Sequence, residues 1–171
     1  MSSRVVNVVV AGLGGQGVIK ASDILADAAF RAGLDVKKAE IHGMSQRGGS
    51  VTSDVRFGER VHSPMIPAGE ADFLLVLSPS EVPVTRPLLS PQGLLIPPEA
   101  VPEEKLPNKR SLNVALLGVL AARLAIPEEH WQAAIRAALP ERLHAVNDAA
   151  FQLGKKTPLP RSSGPHPGGT P

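Results

Sequence analysis

The sequence contains no cysteine and no tyrosine, and it has one tryptophan among 171 residues. Without cysteine there can be no disulfide, no thiolate nucleophile and no cysteine ligand for an iron–sulfur cluster. Any electron-transfer cluster must therefore belong to another chain. Aromatic residues make up 3% of the sequence, which is too few for the stacking platforms used in single-stranded nucleic-acid binding.

Excess positive charge is also missing from most of the chain, although the formal net charge is +2. Residues 1–154 carry all 16 acidic residues and 15 of the 18 basic ones, whereas residues 155–171 carry the remaining three basic ones. No basic face for nucleic acid is therefore predicted. Apolar runs of the roughly 18 residues that a membrane span requires are lacking, as is the organisation of a signal peptide. We expect a cytoplasmic protein with neither nucleic acid nor membrane as partner.

Hydrophobic patterning predicts one α/β domain over residues 1–154, followed by a Pro- and Gly-rich, disordered tail over residues 155–171. Strands are expected at 5–11, 36–41, 73–77 and 94–96, and helices at 18–31, from 78–81 onward, and at 111–125, 127–139 and 141–153. Residues 50–57 and 60–66 predict an antiparallel hairpin. The predicted fold is a mainly parallel Rossmann-like sheet with helices on both faces and this β-hairpin as an insertion.

A glycine turn, Gly12-Leu13-Gly14-Gly15-Gln16-Gly17, joins the first predicted strand to the first predicted helix. This is G-x-G-x-x-G spacing in the context that gives it meaning. Glycines permit a tight turn and close approach of a ligand, while free N–H groups at the helix start attract an anion. No Gly-Lys-Ser/Thr follows, so the turn is not a P-loop. Ligand contact, close helix–strand packing and NAD binding all remain open at this point.

NAD binding would require an acidic residue near the end of the second strand, and Glu40 lies near that position. However, a glycine-rich loop and a predicted hairpin follow Glu40, where a dinucleotide-binding half would have a second crossover helix. The residues after Glu40 therefore do not match the pattern expected of an NAD-binding domain.

The second glycine-rich loop is His42-Gly43-Met44-Ser45-Gln46-Arg47-Gly48-Gly49. Arg47 can bind a carboxylate or phosphate bidentately, or it can form a salt bridge that fixes the loop. His42 can act as an acid or base, or simply hydrogen-bond to backbone. Ser45 sits in no nucleophile elbow, and the histidines show no metal-ligand spacing. Neither a catalytic residue nor a metal site is predicted.

Read together, the two loops resemble the gamma-type domain of 2-oxoacid:acceptor (ferredoxin) oxidoreductases. The first loop runs into a helix of the form V-I-K-A-S-D-I-L-A, and the second has the form H-G-M-S-Q-R-G-G-S-V. The second form is most similar to the indolepyruvate branch. Further agreement comes from Ser63-Pro64, Ala71-Asp72 and Asn147-x-x-Ala150-Phe151-x-x-Gly154. The Pro-rich tail and Ser78-Pro79-Ser80-Glu81 depart from the family's usual pattern.

This resemblance implies a subunit of an enzyme that oxidises a 2-oxoacid, such as indolepyruvate or another aryl pyruvate, to an acyl-CoA with ferredoxin as acceptor. Thiamine diphosphate, Mg²⁺ and iron–sulfur clusters would carry the chemistry on a partner subunit. This chain would complete the assembly and the coenzyme A or substrate pocket, without being catalytic alone. The predicted ligand-binding residues are Gly12, Gly14, Gly15, Gln16, Gly17, Ser45, Arg47, Gly48 and Gly49.

Two alternatives to the subunit interpretation remain. The chain could be a free-standing NAD(P)-binding oxidoreductase, or a ligand-binding module without a redox partner. The apolar stretch 111–125 predicts a helix that covers the sheet, or one that partly forms a subunit interface. An isolated chain could accordingly form a homodimer.

Overall fold

The structure is a computed structural model that describes residues 4–43 and 49–159. Its strands are β1 (Val6–Leu13), β2 (Asp35–His42), β3 (Ser50–Gly58), β4 (Ala71–Val76) and β5 (Leu89–Ile96). They form one sheet in the order β2-β3-β1-β4-β5. β1, β4 and β5 pair in parallel, whereas β3 pairs antiparallel with both β1 and β2. Of these five strands only β3 runs in the opposite direction, so the α/β class and the mainly parallel sheet are confirmed.

The helices are α1 (Val18–Arg31), α2 (Glu81–Thr85), α3 (Leu112–Ala121), α4 (Glu128–Ala138) and α5 (His144–Lys155). Because side chains alternate along a strand, Val8 and Val10 of β1 face the large core, while Val9 and Ala11 face a smaller one. α1 and α3 cover the first face, with α4 packed on α1 and α5 on α3. Among the described residues, the second face carries the short α2 and neighbouring loops. Helices therefore lie on both faces, unequally.

The second strand of the predicted hairpin, residues 60–66, is not a strand, and that prediction was wrong. Side chains of β3 make hydrogen bonds to the backbone of this segment, where a second strand would have made a backbone ladder with β3. Asp54 accepts from the Ile66 N–H at 2.9 Å, and the Arg56 guanidinium donates to two carbonyls of the segment at 2.9 and 3.2 Å. Pro64 has no N–H to offer a ladder. The antiparallel partners of β3 are instead β1 and β2.

Two helix boundaries also differ from the sequence-based expectation. α3 ends at Ala121, because the N–H groups of Arg123 and Leu124 bond three residues back in a tightened turn, whereas that of Ala122 still bonds four residues back. α5 continues to Lys155, and Leu159 is buried against the core. The packed structure thus continues past residue 154, while the remainder of the predicted tail, residues 160–171, lies outside the described residues.

α3 is buried from Asn113 through Ala121 because it lies between the sheet and α5. This explains why its sequence is apolar almost all round: two sides need an apolar surface. Gly118 on α3 and Gly154 on α5 lie where the two helices cross, and each faces backbone of the other helix. The expectation that this segment covers the sheet is confirmed.

Glu128, at the start of α4, connects that helix to α5 by hydrogen bonds. It accepts hydrogen bonds from the Lys155 ammonium at 2.5 Å and from the side-chain amides of Gln152 and Gln132. The bonds from Lys155 and Gln152 hold the pKa of the Glu128 carboxyl below its ordinary value of 4.5. A carboxyl with a lowered pKa in the folded state stabilises that state above its unfolded pKa and ceases to do so as pH falls through the folded value.

We therefore expect Glu128→Gln to lower the free energy of unfolding by up to about 1 kcal/mol at neutral pH, since the group is largely solvent-screened. The difference from wild type should shrink below a pH of about 4.5 as the wild-type carboxyl protonates. Urea unfolding across pH measures this directly. Glu104→Gln serves as the control, because Glu104 is exposed and makes no ion pair with any described residue. A difference that stays constant with pH would contradict the assignment.

Candidate functional site

The candidate site lies at the carboxyl ends of two adjacent parallel strands, β1 and β4, where the chain continues to opposite faces of the sheet. β1 leads into α1 on the large-core face, and β4 leads into α2 on the other face. Such a divergence opens a crevice at the carboxyl ends of the strands, where open α/β sheets bind ligands. Here the crevice has a volume of about 490 Å³. It is lined by Gly15, Gln16, Gly17, Leu77, Lys109, Arg110, Leu112 and Asn113.

The glycine turn forms one wall of this crevice. Gly15 and Gly17 both have φ of 87°, the left-handed conformation that side-chain-bearing residues avoid. Gln16 closes the turn on itself, because its side-chain oxygen accepts the Leu13 N–H at 2.7 Å. The turn is therefore fixed by its own residues, and Gly15, Gln16 and Gly17 border the cavity.

Gly12 and Gly14 have other surroundings. Gly12 is buried in β1, and a side chain there would come within 2.9 Å of a methyl group of Val18, so its smallness serves helix–strand packing. The Gly14 N–H donates to the Gly49 carbonyl at 2.9 Å, which brings the end of the second loop beside the first. The other predicted loop residues, Ser45, Arg47 and Gly48, lie outside the described residues, and their ligand roles remain predictions.

The amino terminus of α1 adds an electrostatic component to the crevice. Gly17 is the N-cap, no side chain caps it, and the first turn contains no acidic residue. A 14-residue helix carries partial positive charge at this end, which attracts an anion. Asn113 holds the turn from the opposite wall by donating to the Gly17 carbonyl at 3.3 Å.

Lys109, Arg110 and Asn113 come from the region where α3 begins, and the sequence analysis did not include them. Lys109 forms an exposed ion pair with Glu103 at 3.0 Å, whereas Arg110 forms no ion pair with any described residue. One signal in the sequence could have found them. Lys109-Arg110 directly precedes a helix, where acidic residues usually complement the helix dipole.

A second, mostly apolar cavity of about 540 Å³ adjoins the crevice and shares Leu77, Lys109 and Leu112 with it. Its other apolar lining residues are Pro79, Pro98, Val101, Pro102 and Leu106. Three carboxylates, those of Glu99, Glu103 and Glu104, also line this cavity, so the two cavities form a groove that is cationic at the glycine turn and carries apolar and acidic residues at the far end. This arrangement suits an elongated ligand whose anionic group lies beside the glycine turn.

Glu81 starts α2 at the same edge of the sheet. It is 5% exposed, and its Oε2 has no hydrogen-bond partner among the described residues. Buried carboxylate oxygens are normally paired. The Ser78-Pro79-Ser80-Glu81 segment therefore places a buried acid just after β4, although Glu81 does not line the crevice.

Glu40 does not occupy the position that NAD binding requires. It hydrogen-bonds Lys38 at 2.7 Å. Burial disfavours the charged form of Lys38, but hydrogen bonds to Asp23 and Glu40 outweigh it and raise the pKa of the Lys38 amine. In addition, β3 lies between β2 and β1, so the end of β2 is not next to the glycine turn. His42 lies 3.9 Å from Glu40 and is exposed.

Comparison with known proteins identifies the family to which this chain belongs. The sequence profile of the family described as "Pyruvate ferredoxin/flavodoxin oxidoreductase" matches residues 7–107. A protein of Methanothermobacter thermautotrophicus named "Indolepyruvate oxidoreductase subunit IorB" is 36% identical, with 86% of this chain and 95% of that protein covered. The chain belongs to the pyruvate ferredoxin/flavodoxin oxidoreductase family.

Other relatives span several branches of the family. The Thermococcus kodakarensis protein named "Indolepyruvate oxidoreductase subunit IorB" is also 36% identical, over 88% of this chain and 94% of its own length. A "Pyruvate/ketoisovalerate oxidoreductases common subunit gamma" from Thermococcus litoralis is 32% identical over 67% of this chain. The resemblance to gamma-type subunits, and to the indolepyruvate branch in particular, is confirmed.

Solved structures show the same fold. The gamma subunit of a keto/oxoacid ferredoxin oxidoreductase from Geobacter sulfurreducens superposes with a TM-score of 0.73 at 22% identity, over 90% of this chain and 96% of its own. A 2-oxoglutarate:ferredoxin oxidoreductase from Magnetococcus marinus, with coenzyme A bound, gives 0.79 at 20% identity. The match covers 90% of this chain but 31% of that larger one.

The chemistry of the side chains constrains which cofactors this chain can hold. The sequence has no cysteine, and the described residues contain no group of three or more His, Asp or Glu that could hold a metal ion. The groove, in contrast, offers cations and an open helix terminus to an anionic group. Within the described ranges no helix is long and apolar enough to cross a membrane.

Proposed function

We propose that this chain is a subunit of a 2-oxoacid:ferredoxin oxidoreductase that acts on indolepyruvate or another aryl pyruvate. Its partner subunit holds thiamine diphosphate, Mg²⁺ and the iron–sulfur clusters, and ferredoxin accepts electrons from the complex in the cytoplasm. The observation that carries the proposal is the match to indolepyruvate oxidoreductase subunits over 86% of this chain and 95% of the relative.

The contribution of this chain is the groove at the carboxyl edge of the sheet. Coenzyme A combines anionic phosphates with a long uncharged arm, and the groove joins Lys109 and the α1 terminus to a mostly apolar cavity. We assign Lys109, Gly15 and Gly17 to the phosphate-bearing part of the ligand. Coenzyme A supplies the thiol that receives the acyl group, and the residues of this chain hold its anionic portion in place. No catalytic residue is assigned to this chain.

The test begins with purification of the native complex through this chain. We expect a thiamine-binding subunit to accompany it, and the complex to reduce a viologen dye in the presence of an aryl pyruvate and coenzyme A. Removal of this chain should abolish that activity. Recovery of a well-folded chain alone, or activity only with NAD(P), would contradict the proposal.

Lys109→Gln tests the groove within the complex. Loss of one charge-assisted contact should raise the KM for coenzyme A about tenfold, with the KM for the 2-oxoacid unchanged. The matched control is Arg86→Gln, because Arg86 lies on the other face of the sheet and makes no ion pair with any described residue. An unchanged KM for coenzyme A in Lys109→Gln would remove this residue from the coenzyme A site.

A further inference from the structure

The outer edge of β2 is a sheet edge without a neighbouring strand among the described residues. β2 ends the sheet order on one side, and β5 ends it on the other. β5 contains Pro91, which has no N–H, and its pairing with β4 shifts register between Ala71 and Phe73. In contrast, β2 pairs with β3 in unbroken register over Asp35–His42 and contains no proline. Of the two edges, β5 therefore has the interruptions that protect a sheet from further pairing, and β2 lacks them.

The backbone of β2 presents a regular row of hydrogen-bonding groups at this edge. The Gly43 N–H donates to the Ser50 carbonyl at 2.8 Å, in register with the ladder between β2 and β3. Bonded pairs recur at every second residue of an antiparallel ladder, so the odd-numbered residues of β2 bond to β3. The N–H and C=O groups that point outward belong to the even-numbered residues, Val36, Lys38, Glu40 and His42. No described residue provides these groups with a backbone partner.

Lysines often protect a sheet edge through their charge, but the charges of both β2 lysines are compensated within the chain. Lys38 Nζ donates to the carboxylates of Asp23 at 2.5 Å and Glu40 at 2.7 Å. Lys37 lies 3.8 Å from the Asp35 carboxylate. With two acidic and two basic residues, β2 has no excess charge that would repel a strand of the same sequence.

Two exposed apolar side chains flank the same edge. Ile41 is 47% exposed, and it points to the face of the sheet opposite to Val36, which packs on the large core. Phe30 is 70% exposed and follows Asp23 by seven residues, which is about two turns of α1. Because Asp23 contacts Lys38, Phe30 lies on the side of α1 that faces β2. The edge therefore has exposed apolar surface on both faces, which a protein partner would bury.

We propose that a second copy of this chain pairs with β2 in antiparallel orientation, about a twofold axis at Ala39. A twofold axis perpendicular to the sheet keeps each face continuous, so opposed side chains must point to the same face. With Ala39 opposite itself, Lys38 lies opposite Glu40 of the second copy, and the two exchange both of their outward backbone bonds. On the other face, Lys37 lies opposite Ile41 and covers it with its aliphatic stem.

Charge complementarity selects this register. Moving the axis by one residue in either direction places Lys38 opposite itself or Glu40 opposite itself. Like charges directly opposite each other destabilise a sheet, whereas opposite charges stabilise it. The axis at Ala39 therefore gives the favourable pairing of β2 with itself. This inference does not depend on the proposed oxidoreductase function, because no residue of another kind of subunit enters it.

Because the sequence has no cysteine, single cysteine variants of the purified chain measure this register directly. Ala39→Cys places two thiols at a pair whose Cα atoms lie about 4.5 Å apart, within the range of a disulfide. We expect copper phenanthroline to oxidise Ala39→Cys to a covalent dimer, and the wild type to sediment as a dimer whose fraction rises with concentration. Lys37→Cys is the matched control on the same strand. Its two copies would lie about 13 Å apart along the strands and should not link.

Charge variants at the axis provide a second test. Ala39→Lys and Ala39→Glu each place like charges directly opposite each other and should weaken self-association about tenfold or more. An equimolar mixture of the two should recover association as a heterodimer in native mass spectrometry, because opposite charges then meet at the axis. A wild type that stays monomeric at all concentrations, or linking of Lys37→Cys as fast as Ala39→Cys, would overturn the proposal. So would failure of the mixture to form heterodimers while both variants keep the wild-type melting temperature.

Discussion

Replacing Gly154 with alanine should lower the melting temperature of this protein by about 10 °C, although alanine is the better helix former. On propensity alone the change would stabilise α5 by about 1 kcal/mol. The added Cβ, however, would lie well under 3.0 Å from the Ala115 carbonyl oxygen, and 3.0 Å from the Val119 backbone nitrogen. These are backbone atoms, so no rotamer change relieves the overlap.

The helices must separate instead, and α3 belongs to the buried centre of the domain. Overpacking that moves backbone costs about 3 kcal/mol, which corresponds to roughly 10 °C for a chain of this size. Gly118→Ala should act in the same way, because its Cβ would approach the Phe151 carbonyl oxygen.

Ala149→Val is the matched control, because it adds bulk to an exposed position of the same helix. Propensity alone should make it cost a few tenths of a kcal/mol, as measured by calorimetry or urea unfolding. A stabilising effect of Gly154→Ala would contradict the close crossing of α3 and α5. It would mean that helix propensity, and not steric overlap, determines the change in stability.

Gly154 also shows where reasoning from sequence reaches its limit. Its place in a family motif is visible in the sequence, but the composition that follows it suggests the start of a tail. The structure instead uses its missing side chain for the approach of α3, and the chain stays packed to Leu159. A glycine that ends a helix and one that admits a neighbouring helix look alike until the neighbour's position is known.

Strand–turn–helix units were predictable because their signals are local. The β-branched run of β1, the glycine turn and the apolar stripe of α1 lie within residues 6–31, and α1 has the predicted bounds. The partners of β3 were not predictable, because they are set by tertiary contacts. Residues 60–66 have the alternation of a strand, yet Asp54 and Arg56 bind their backbone more favourably than a ladder interrupted by Pro64 would.

The residues of the candidate site show the same contrast between local signals and tertiary contacts. Its glycines could be read from the sequence, because turns with positive φ demand glycine. Lys109 and Arg110 could be noticed because they precede a helix, but their place beside the glycine turn could not be predicted. Their segment is far away along the chain: Asn113 lies 96 residues from the Gly17 carbonyl that it contacts. The sheet order brings the two together: β4 and β5 extend the sheet beyond β1, and α3 then packs back against β4, β5 and α1.

The second large effect concerns that contact, and it is measured by comparing Gly15→Ala with Gly17→Ala. Both glycines have φ of 87°, so alanine at either position costs about 1–2 kcal/mol in backbone strain. A Cβ at Gly15 would meet nothing within 4 Å, whereas one at Gly17 would lie 2.5 Å from Asn113 Nδ2. We expect Gly17→Ala to be the more destabilising by about 1–2 kcal/mol in urea unfolding.

This difference should disappear when Asn113 is also replaced, because a double variant isolates the energy of a pair in contact. Gly15→Ala and Gly17→Ala are therefore compared again in an Asn113→Ala background, where only the strain remains. Asn113 lines the crevice, so its displacement by the methyl group that Gly17→Ala adds should also weaken ligand binding there. If Gly15→Ala and Gly17→Ala lowered the free energy of unfolding equally in the wild-type background, the Asn113 side chain would be able to move away from the added methyl group at no energetic cost. The glycine turn would then not fix the position of Asn113 in the wall of the crevice.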